Sequence, residues 1–219
     1  ASQGFRWDTD LKPAGRMGYN LQILAVNAKN IPSKSFAELL ELSKTRELSF
    51  ASAGIGSPGH LAFEYLRMAT GIRGVHVPYR GAAPALQDLV SGAIDVAFVT
   101  AGAVLPQVRT GALRPLAVSA GERSADLPDV PTAQEAGVKD FEARTGNYLL
   151  APAALDDQRL AFMGAQVEAV MKDAAVQEQL KKLAIEPVFT DAAGARKALA
   201  ADHEKWGAVL KAAGVKANP

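Results

Sequence analysis

Three glycines, a serine and a histidine lie close together between Gly54 and His60, in the order GIGSPGH. The preceding residues, LSFASA, are apolar enough for a buried strand, and the spacing of a helix follows from about His60. Ser57 or Pro58 is placed to begin that helix, because serine caps backbone N–H groups and proline suits the first turn. Such a turn brings several backbone N–H groups and a helix N-terminus to one point, so the sequence predicts an anion-binding site there.

Three enzyme motifs can be compared with this turn. Gly54, Gly56 and Gly59 satisfy the G-x-G-x-x-G fingerprint of dinucleotide-binding proteins. The next strand ends in Tyr79 and Arg80 rather than in an acidic residue, so only a phosphorylated ribose would suit it. The phosphate-binding loop lacks its lysine here, and the nucleophile elbow of hydrolases lacks its first glycine. An NADP-binding enzyme therefore remains an alternative.

The histidines and acidic residues form no pattern for catalysis or for a metal ion. His60 could bond a ligand oxygen or could cap and pack locally, while His76 lies in an apolar strand and His203 on a charged helix face. The chain has no cysteine and no H-E-x-x-H pair, which argues against a zinc site. Asp88 and Asp95 have no second carboxylate spaced to act with them, and they are predicted to be exposed or capping. We expect no cofactor and no catalysis.

Size and composition are those of an ordinary globular protein. The 219 residues are 48% hydrophobic and 21% charged, which leaves ample material for a core. A net charge of +1 gives no general attraction for nucleic acid or for an acidic membrane. No apolar run reaches the roughly 20 residues that cross a bilayer, and the first ten residues do not resemble a signal peptide.

Strands and helices alternate from Leu48 to Ser119, which predicts a mainly parallel α/β sheet with right-handed crossovers. Residues 1–19 are predicted to be irregular, since Pro13, Gly15 and Gly18 break any period. The segment YNLQILAVN is predicted to be one buried strand.

The composition also predicts how the chain is divided. Residues 1–27 form a lead-in and a crossing strand, and residues 28–119 form an α/β lobe that contains the predicted anion-binding site. Residues 120–147 are polar and rich in proline and are predicted to be a linker region, whereas residues 148–219 supply a strand and helices of the other lobe.

Four stretches occur in an order and spacing typical of one family. They are ASAGIGSPGHL, VHVPYRGAAPALQDLVSGAIDVAFV, GALRPLAVSAGERSADLPDVPTAQEAG and EKWGAVLKAAGVK. From Tyr19 onward the chain resembles the Bug-type family of substrate-binding proteins, the receptors of tripartite tricarboxylate transporters. Each stretch alone is generic, and the combination is specific.

The resemblance implies a periplasmic-binding-protein-like α/β fold with a ligand cleft between two lobes. It implies a small organic carboxylate as ligand (a di- or tricarboxylate, an acidic amino acid or an aromatic acid), membrane transporter subunits as partners and a periplasmic location. Carried over position by position, the family's ligand contacts fall in two turns and at one strand end. Tyr79, before the second turn, could face either the ligand or the protein. The residues implied are Ser52, Ala53, Gly54, Ile55, Gly56, Ser57, His60, Tyr79, Gly81, Ala82 and Thr100.

The sequence departs from the family pattern at its start, where the first strand and glycine-rich loop of one lobe have no counterpart. We therefore expect a complete parallel-sheet lobe and a second lobe that is only partly represented. An alternative to a receptor follows from this departure, namely a ligand-free module that forms a homodimer through the incomplete lobe.

Overall fold

The helices and strands follow the apolar patterns of the sequence closely. The structure is a computed structural model that describes residues 6–215. The strands in chain order are β1 (Leu11–Asn20), β2 (Gln22–Asn27), β3 (Leu48–Ser52), β4 (Gly74–Pro78), β5 (Val96–Thr100), β6 (Leu113–Val118), β7 (Thr145–Pro152) and β8 (Ile185–Glu186). The helices are α1 (Trp7–Asp10), α2 (Phe36–Thr45), α3 (Pro58–Thr70), α4 (Ala82–Ser91), α5 (Ala101–Arg109), α6 (Asp157–Met171), α7 (Ala174–Lys182) and α8 (Ala192–Ala212).

The chain divides into two compact units. Among the described residues, unit 1 comprises 6–20 and 145–208, and unit 2 comprises 21–144 and 209–215. The segment predicted to be one strand, YNLQILAVN, is split between the units, because β1 ends at Asn20 and β2 begins at Gln22.

The segment predicted to be a linker, residues 120–147, also differs from the prediction, since residues 120–144 belong to unit 2. Its side chains Leu127, Val130 and Phe141 are buried, and Thr132 forms a parallel bridge to Val118 at the end of β6. Proline and polar residues here make turns over a core rather than a free connection.

Unit 2 contains a five-stranded sheet in the order β4-β3-β5-β2-β6. Strand β3 pairs in parallel with β4 and β5, whereas β2 pairs antiparallel with β5 and β6. Four strands therefore run in one direction, which confirms the predicted mainly parallel α/β sheet, and β2 runs against them. All six residues of β2 are buried, as expected for a strand covered on both faces.

Helix α3 approaches β5 closely. A Cβ atom placed on Gly59 would lie 2.6 Å from the carbonyl oxygen of Phe98, so glycine is needed for this approach. Phe50 on β3 stacks on Phe63 of α3 with ring centroids 3.7 Å apart, and both side chains are fully buried. These contacts fix where α3 begins relative to the sheet. The third glycine of G-x-G-x-x-G thus serves helix–strand packing.

Unit 1 is built on a three-stranded antiparallel sheet in the order β7-β1-β8. The structure differs here from the predicted irregular lead-in, because α1 and β1 occupy residues 7–20; residues 1–5 lie outside the described residues. Register shifts between Pro13 and Gly15 and between Arg16 and Gly18 absorb the breaking residues as bulges, so the strand continues through them.

The close approach of α3 to β5 can be tested by adding one methyl group. We expect Gly59→Ala to lower the free energy of unfolding by about 1–3 kcal/mol in urea denaturation, because α3 must shift to relieve the overlap. Gly207→Ala is the control, since Gly207 lies within α8 and a Cβ there would meet nothing within 4 Å. That change should be neutral or stabilise by up to about 1 kcal/mol. Equal effects of the two changes would contradict the close approach.

Candidate functional site

A glycine-rich turn connects β3 to α3, as the sequence predicts. Gly54 and Gly56 have φ angles of +130° and +77°, which residues other than glycine rarely adopt. The Ser57 N–H donates to the Gly54 carbonyl oxygen at 3.1 Å and closes the turn. Ala53, Ile55 and Gly56 are exposed, so the tip of the turn faces solvent.

Two more helices of unit 2 begin at the same edge of the sheet. Gly81, with a φ angle of +124°, is the N-cap of α4 after β4, and Thr100 is the N-cap of α5 directly after β5. Because β4, β3 and β5 are adjacent and parallel, their carboxyl ends lie side by side. The N-termini of α3, α4 and α5 therefore share one edge, and the structure brings the predicted turns together there.

The three helices share a second property, which is the absence of a side-chain cap. The N-cap residues Ser57, Gly81 and Thr100 make no side-chain hydrogen bond to the first turn. Side chains of the N-cap residues of α2, α6 and α7 accept such bonds; these residues are Ser35, Asp156 and Asp173. Arg6, the N-cap of the four-residue helix α1, makes none. The first N–H groups of a helix have no acceptor within the helix, so an uncapped N-terminus can donate to an anion.

Several polar groups of the glycine-rich turn are used within the turn itself. The N–H of Gly54 donates to Ser52 Oγ at 3.1 Å, and the N–H of Gly56 donates to His60 Nδ1 at 3.0 Å. Together with the Ser57 bond to Gly54, these contacts leave the first turn of α3, Gly59 and His60, as the source of N–H groups for a ligand. The corresponding groups of α4 belong to Ala82 and Ala83, both of which are exposed.

The Ser57 hydroxyl is enclosed and has no hydrogen-bond partner among the described residues. Its Oγ atom is shielded from solvent, although the residue as a whole is half-buried. Enclosed polar atoms in folded proteins nearly always have a partner, and a ligand oxygen at this helix start would supply one.

His60 lies beneath the turn and does not face solvent. The residue is 3% exposed, and its ring stacks on His76 with centroids 3.9 Å apart and planes inclined by 9°. Burial is the main influence on the pKa of His60, which is lowered below 6.5, so the ring is neutral at pH 7. The structure shows local contacts of His60, namely the hydrogen bond from the Gly56 N–H and the stack on His76, and a contact with a ligand stays a prediction.

The half-buried His76 and the buried Ser52 continue this cluster. His76 Nε2 lies 2.6 Å from Ser52 Oγ, which is itself 2% exposed. The sequence alone places His76 in an apolar strand and does not connect it with the turn. The parallel pairing of β3 with β4, which sets Phe50 opposite His76, is the signal that would have connected them.

Tyr79 is directed toward its own lobe. Its hydroxyl donates to Asp88 Oδ2 at 2.6 Å, across the start of α4. Burial, followed by the bond to Asp88, raises the pKa of Tyr79 to about 12, so the phenol keeps its proton. Asp88, predicted to be exposed or capping, instead anchors the turn that precedes α4. Asp95, for which the same prediction was made, is buried and accepts hydrogen bonds from the N–H and hydroxyl of Ser49.

The edge carries little formal charge. Among residues 53–57, 79–82 and 100–101, Arg80 alone is charged, and it is exposed. Within residues 6–215, no cluster of three or more histidines and acidic residues could hold a metal ion. No helix in the same range is both long and apolar enough to cross a membrane. The chemistry available at this edge is therefore hydrogen bonding by backbone N–H groups.

Comparison with known proteins points to transport receptors. Residues 3–215 match the TctC family model, which describes receptors of the tripartite tricarboxylate transporter family. Protein BugT of Bordetella pertussis is 30% identical over 209 residues, which cover 94% of this chain and 64% of BugT. The chain spans between 49% and 64% of the length of the first three curated relatives that it matches.

The chain is also similar to solved structures of longer proteins with this fold. The Rhodopseudomonas palustris protein Rpa4515, solved with adipate, superposes with a TM-score of 0.88 at 28% identity, covering 96% of this chain and 71% of that one. MatC from the same organism, solved with bound malate, has a TM-score of 0.83 at 25% identity, covering 96% of this chain and 73% of that one.

The two stacked histidines predict how stability depends on pH. Burial, and then the charge of His60, lowers the pKa of His76 from 6.5 to about 4. The unfolded chain therefore binds this proton more readily, so the stabilisation is complete above pH 6.5 and decreases as the pH falls toward 4. After allowance for partial solvent screening, we expect a loss of about 1–2 kcal/mol in the free energy of unfolding.

Urea denaturation at several pH values between 4 and 7.5 measures this loss. His76→Gln, which retains an amide near Ser52 but does not titrate, should reduce the slope. The exposed His203 offers the control His203→Gln, which should keep the slope of the unmodified chain. An unchanged slope in His76→Gln would show that His76 does not cause the pH dependence.

Proposed function

This chain belongs to the family of tripartite tricarboxylate transporter receptors, and we propose that it binds a small organic carboxylate for such a transporter. One observation carries the proposal, namely the three uncapped helix N-termini at one edge of the sheet in unit 2. A carboxylate oxygen accepts hydrogen bonds from backbone N–H groups, and each helix dipole adds a partial positive charge. Binding of this kind needs no catalytic residue.

A site of N–H groups suits a receptor that must also release its ligand. An ion pair adds the attraction of a second full charge to its hydrogen bonds, whereas backbone N–H groups carry only partial charges and give more easily reversed contacts. Adipate and malate, which accompany the two solved neighbours, are both dicarboxylates, and this supports a dicarboxylate as the first ligand to test. Within the proposal, the residues in contact are those predicted at the two turns and at Thr100, with the side chains of Ser52, His60 and Tyr79 holding the turns from within.

The remaining parts of the proposal follow from the family. We expect the partners to be the membrane subunits of a tripartite tricarboxylate transporter and the location to be the periplasm. We expect no enzymatic activity, because the edge provides neither an acid–base pair nor, within the described residues, a cluster of metal ligands.

Calorimetric titration with adipate, malate and citrate tests the proposal, with the oligomeric state recorded by light scattering. Micromolar binding of at least one carboxylate, a free energy of about −8 kcal/mol, is the expected result. A folded sample that binds none of them would contradict the proposal, and a dimer that covers the glycine-rich turn would then support the interaction module. An NADPH titration included as a further arm would favour the dinucleotide enzyme if it alone gave binding.

A proline substitution removes one donor without a change of charge. Ala82 is the first helical residue of α4, where proline is tolerated and where the N–H has no acceptor within the helix. We expect Ala82→Pro to weaken carboxylate binding by about threefold to tenfold, the effect of one lost hydrogen bond, with little loss of stability.

Ala174→Pro is the matched control, because Ala174 is the first residue of α7, in unit 1, and its N-cap Asp173 bonds to the N–H groups of Ala175 and Val176 instead. Its ligand affinity should equal that of the unmodified chain. Equal affinities of Ala82→Pro and Ala174→Pro would contradict a role for the α4 N-terminus.

A further inference from the structure

A layer of polar side chains lies directly beneath the glycine-rich turn. His60 of α3 stacks on His76 of β4, and His76 contacts Ser52 of β3; the three side chains are largely shielded from solvent. Two hydrogen bonds join this layer to the turn. The Gly56 N–H donates to His60 Nδ1, and the Gly54 N–H donates to Ser52 Oγ.

The bond from Gly56 fixes the protonation state of His60. A ring nitrogen that accepts a hydrogen bond carries no proton, so the remaining proton of the neutral ring is on Nε2. A second proton would have to go to Nδ1, where it would meet the N–H of Gly56. The hydrogen bond between His60 and the turn therefore exists only while the ring is neutral.

Gly56 has few other restraints. It is exposed, its φ angle is +77°, and a Cβ placed on it would meet no atom within 4 Å. Packing does not hold this residue in place, so its conformation depends on the hydrogen bonds of the turn. Loss of the bond to His60 would release Gly56 and, with it, the entry into α3.

The charged and titratable groups around His60 are few. On α3 itself, Glu64 Oε1 lies 3.9 Å from His60 Nε2, and Arg67 bonds to the other oxygen of Glu64 at 2.5 Å. His76 stacks on the ring from β4, and β3 contributes the uncharged Ser52. Because Arg67 already pairs with Glu64, that carboxylate compensates only part of the cost of a charge on His60.

We propose that His60 is a positioning residue whose neutral ring holds Gly56, and thus the glycine-rich turn, in the shape that binds a carboxylate, and that protonation of this ring releases the ligand. This inference rests on the proposed function, which supplies the ligand. It assigns His60 to the support of the site, where its side chain acts through the turn without touching the ligand.

Two substitutions separate the hydrogen bond from the titration. In His60→Asn, the amide oxygen is attached to Cγ just as Nδ1 is, so an acceptor remains that does not titrate. His60→Leu keeps an apolar side chain of similar size and removes the acceptor. His203→Asn is the control for a histidine far from the turn in sequence and exposed to solvent.

The readout is the affinity for adipate, measured by calorimetry at pH 7.5 and pH 5.0. Between pH 7.5 and pH 5.0, the affinity of the unmodified chain and of His203→Asn should fall by a factor at least about five times larger than that of His60→Asn. The ionisation of adipate itself affects all three proteins equally. At pH 7.5, His60→Leu should bind about threefold to tenfold more weakly than His60→Asn. Equal pH dependence of the unmodified chain and His60→Asn would overturn the proposal, as would full affinity in His60→Leu.

A measurement without ligand keeps this test separate from that of the proposed function. In the unmodified chain, ¹⁵N NMR should identify His60 Nδ1 as an unprotonated, hydrogen-bonded nitrogen at pH 7.5, and the Gly56 amide should exchange more slowly than in His60→Leu. If no carboxylate binds to a chain with these signals, the proposed function fails and the role of His60 in the turn stands. A protonated Nδ1, or a Gly56 amide that exchanges equally fast in both proteins, overturns the role of His60.

Discussion

The first N–H groups of an α-helix have no hydrogen-bond acceptor within the helix. In unit 2, three helices begin at the same edge of the five-stranded sheet. The parallel direction of β4, β3 and β5 makes this unavoidable, because each strand is followed by a helix that must begin where the strand ends. Side chains satisfy the N-termini of α2, α6 and α7, whereas those of α3, α4 and α5 have no such cap. In α5 the Ala101 N–H donates to the Leu21 carbonyl oxygen at 3.0 Å, and under the proposal a ligand accepts from N–H groups that remain at this edge.

The support of the site lies beneath it. Gly59 lets α3 approach β5, the stacked Phe50 and Phe63 fix the helix on the sheet, and the pair of His60 and His76 holds the turn above. On the neighbouring turn, the bond from Tyr79 to Asp88 has the same role. Most of the polar side chains predicted to touch a ligand are thus directed inward. Under the proposal, backbone N–H groups make the contact with the ligand. This agrees with the single formal charge, Arg80, among the turn residues where α3, α4 and α5 begin.

Local patterns predicted most of the fold, and contacts between distant residues explain what they missed. The strand–turn–helix around Gly54 and the alternation up to β6 have strong periodicity and correct turn residues, so they were predictable from the sequence. Strand β1 was not, since Pro13 and Gly18 are normally breaking residues and only the pairing with β7 shows them to be parts of bulges. The stack of His60 on His76 depends on the register of β3 and β4, which a single sequence does not reveal.

The central claim, that helix N-termini of unit 2 hold a carboxylate, is tested most directly by ¹H–¹⁵N NMR during a titration with adipate. The account predicts saturable shifts that are largest at the amides of Gly59, His60, Ala82 and Ala83, because these N–H groups would gain an anionic acceptor. Saturable binding whose largest shifts fall within residues 145–208, or the absence of any saturable change in a folded chain, would contradict it.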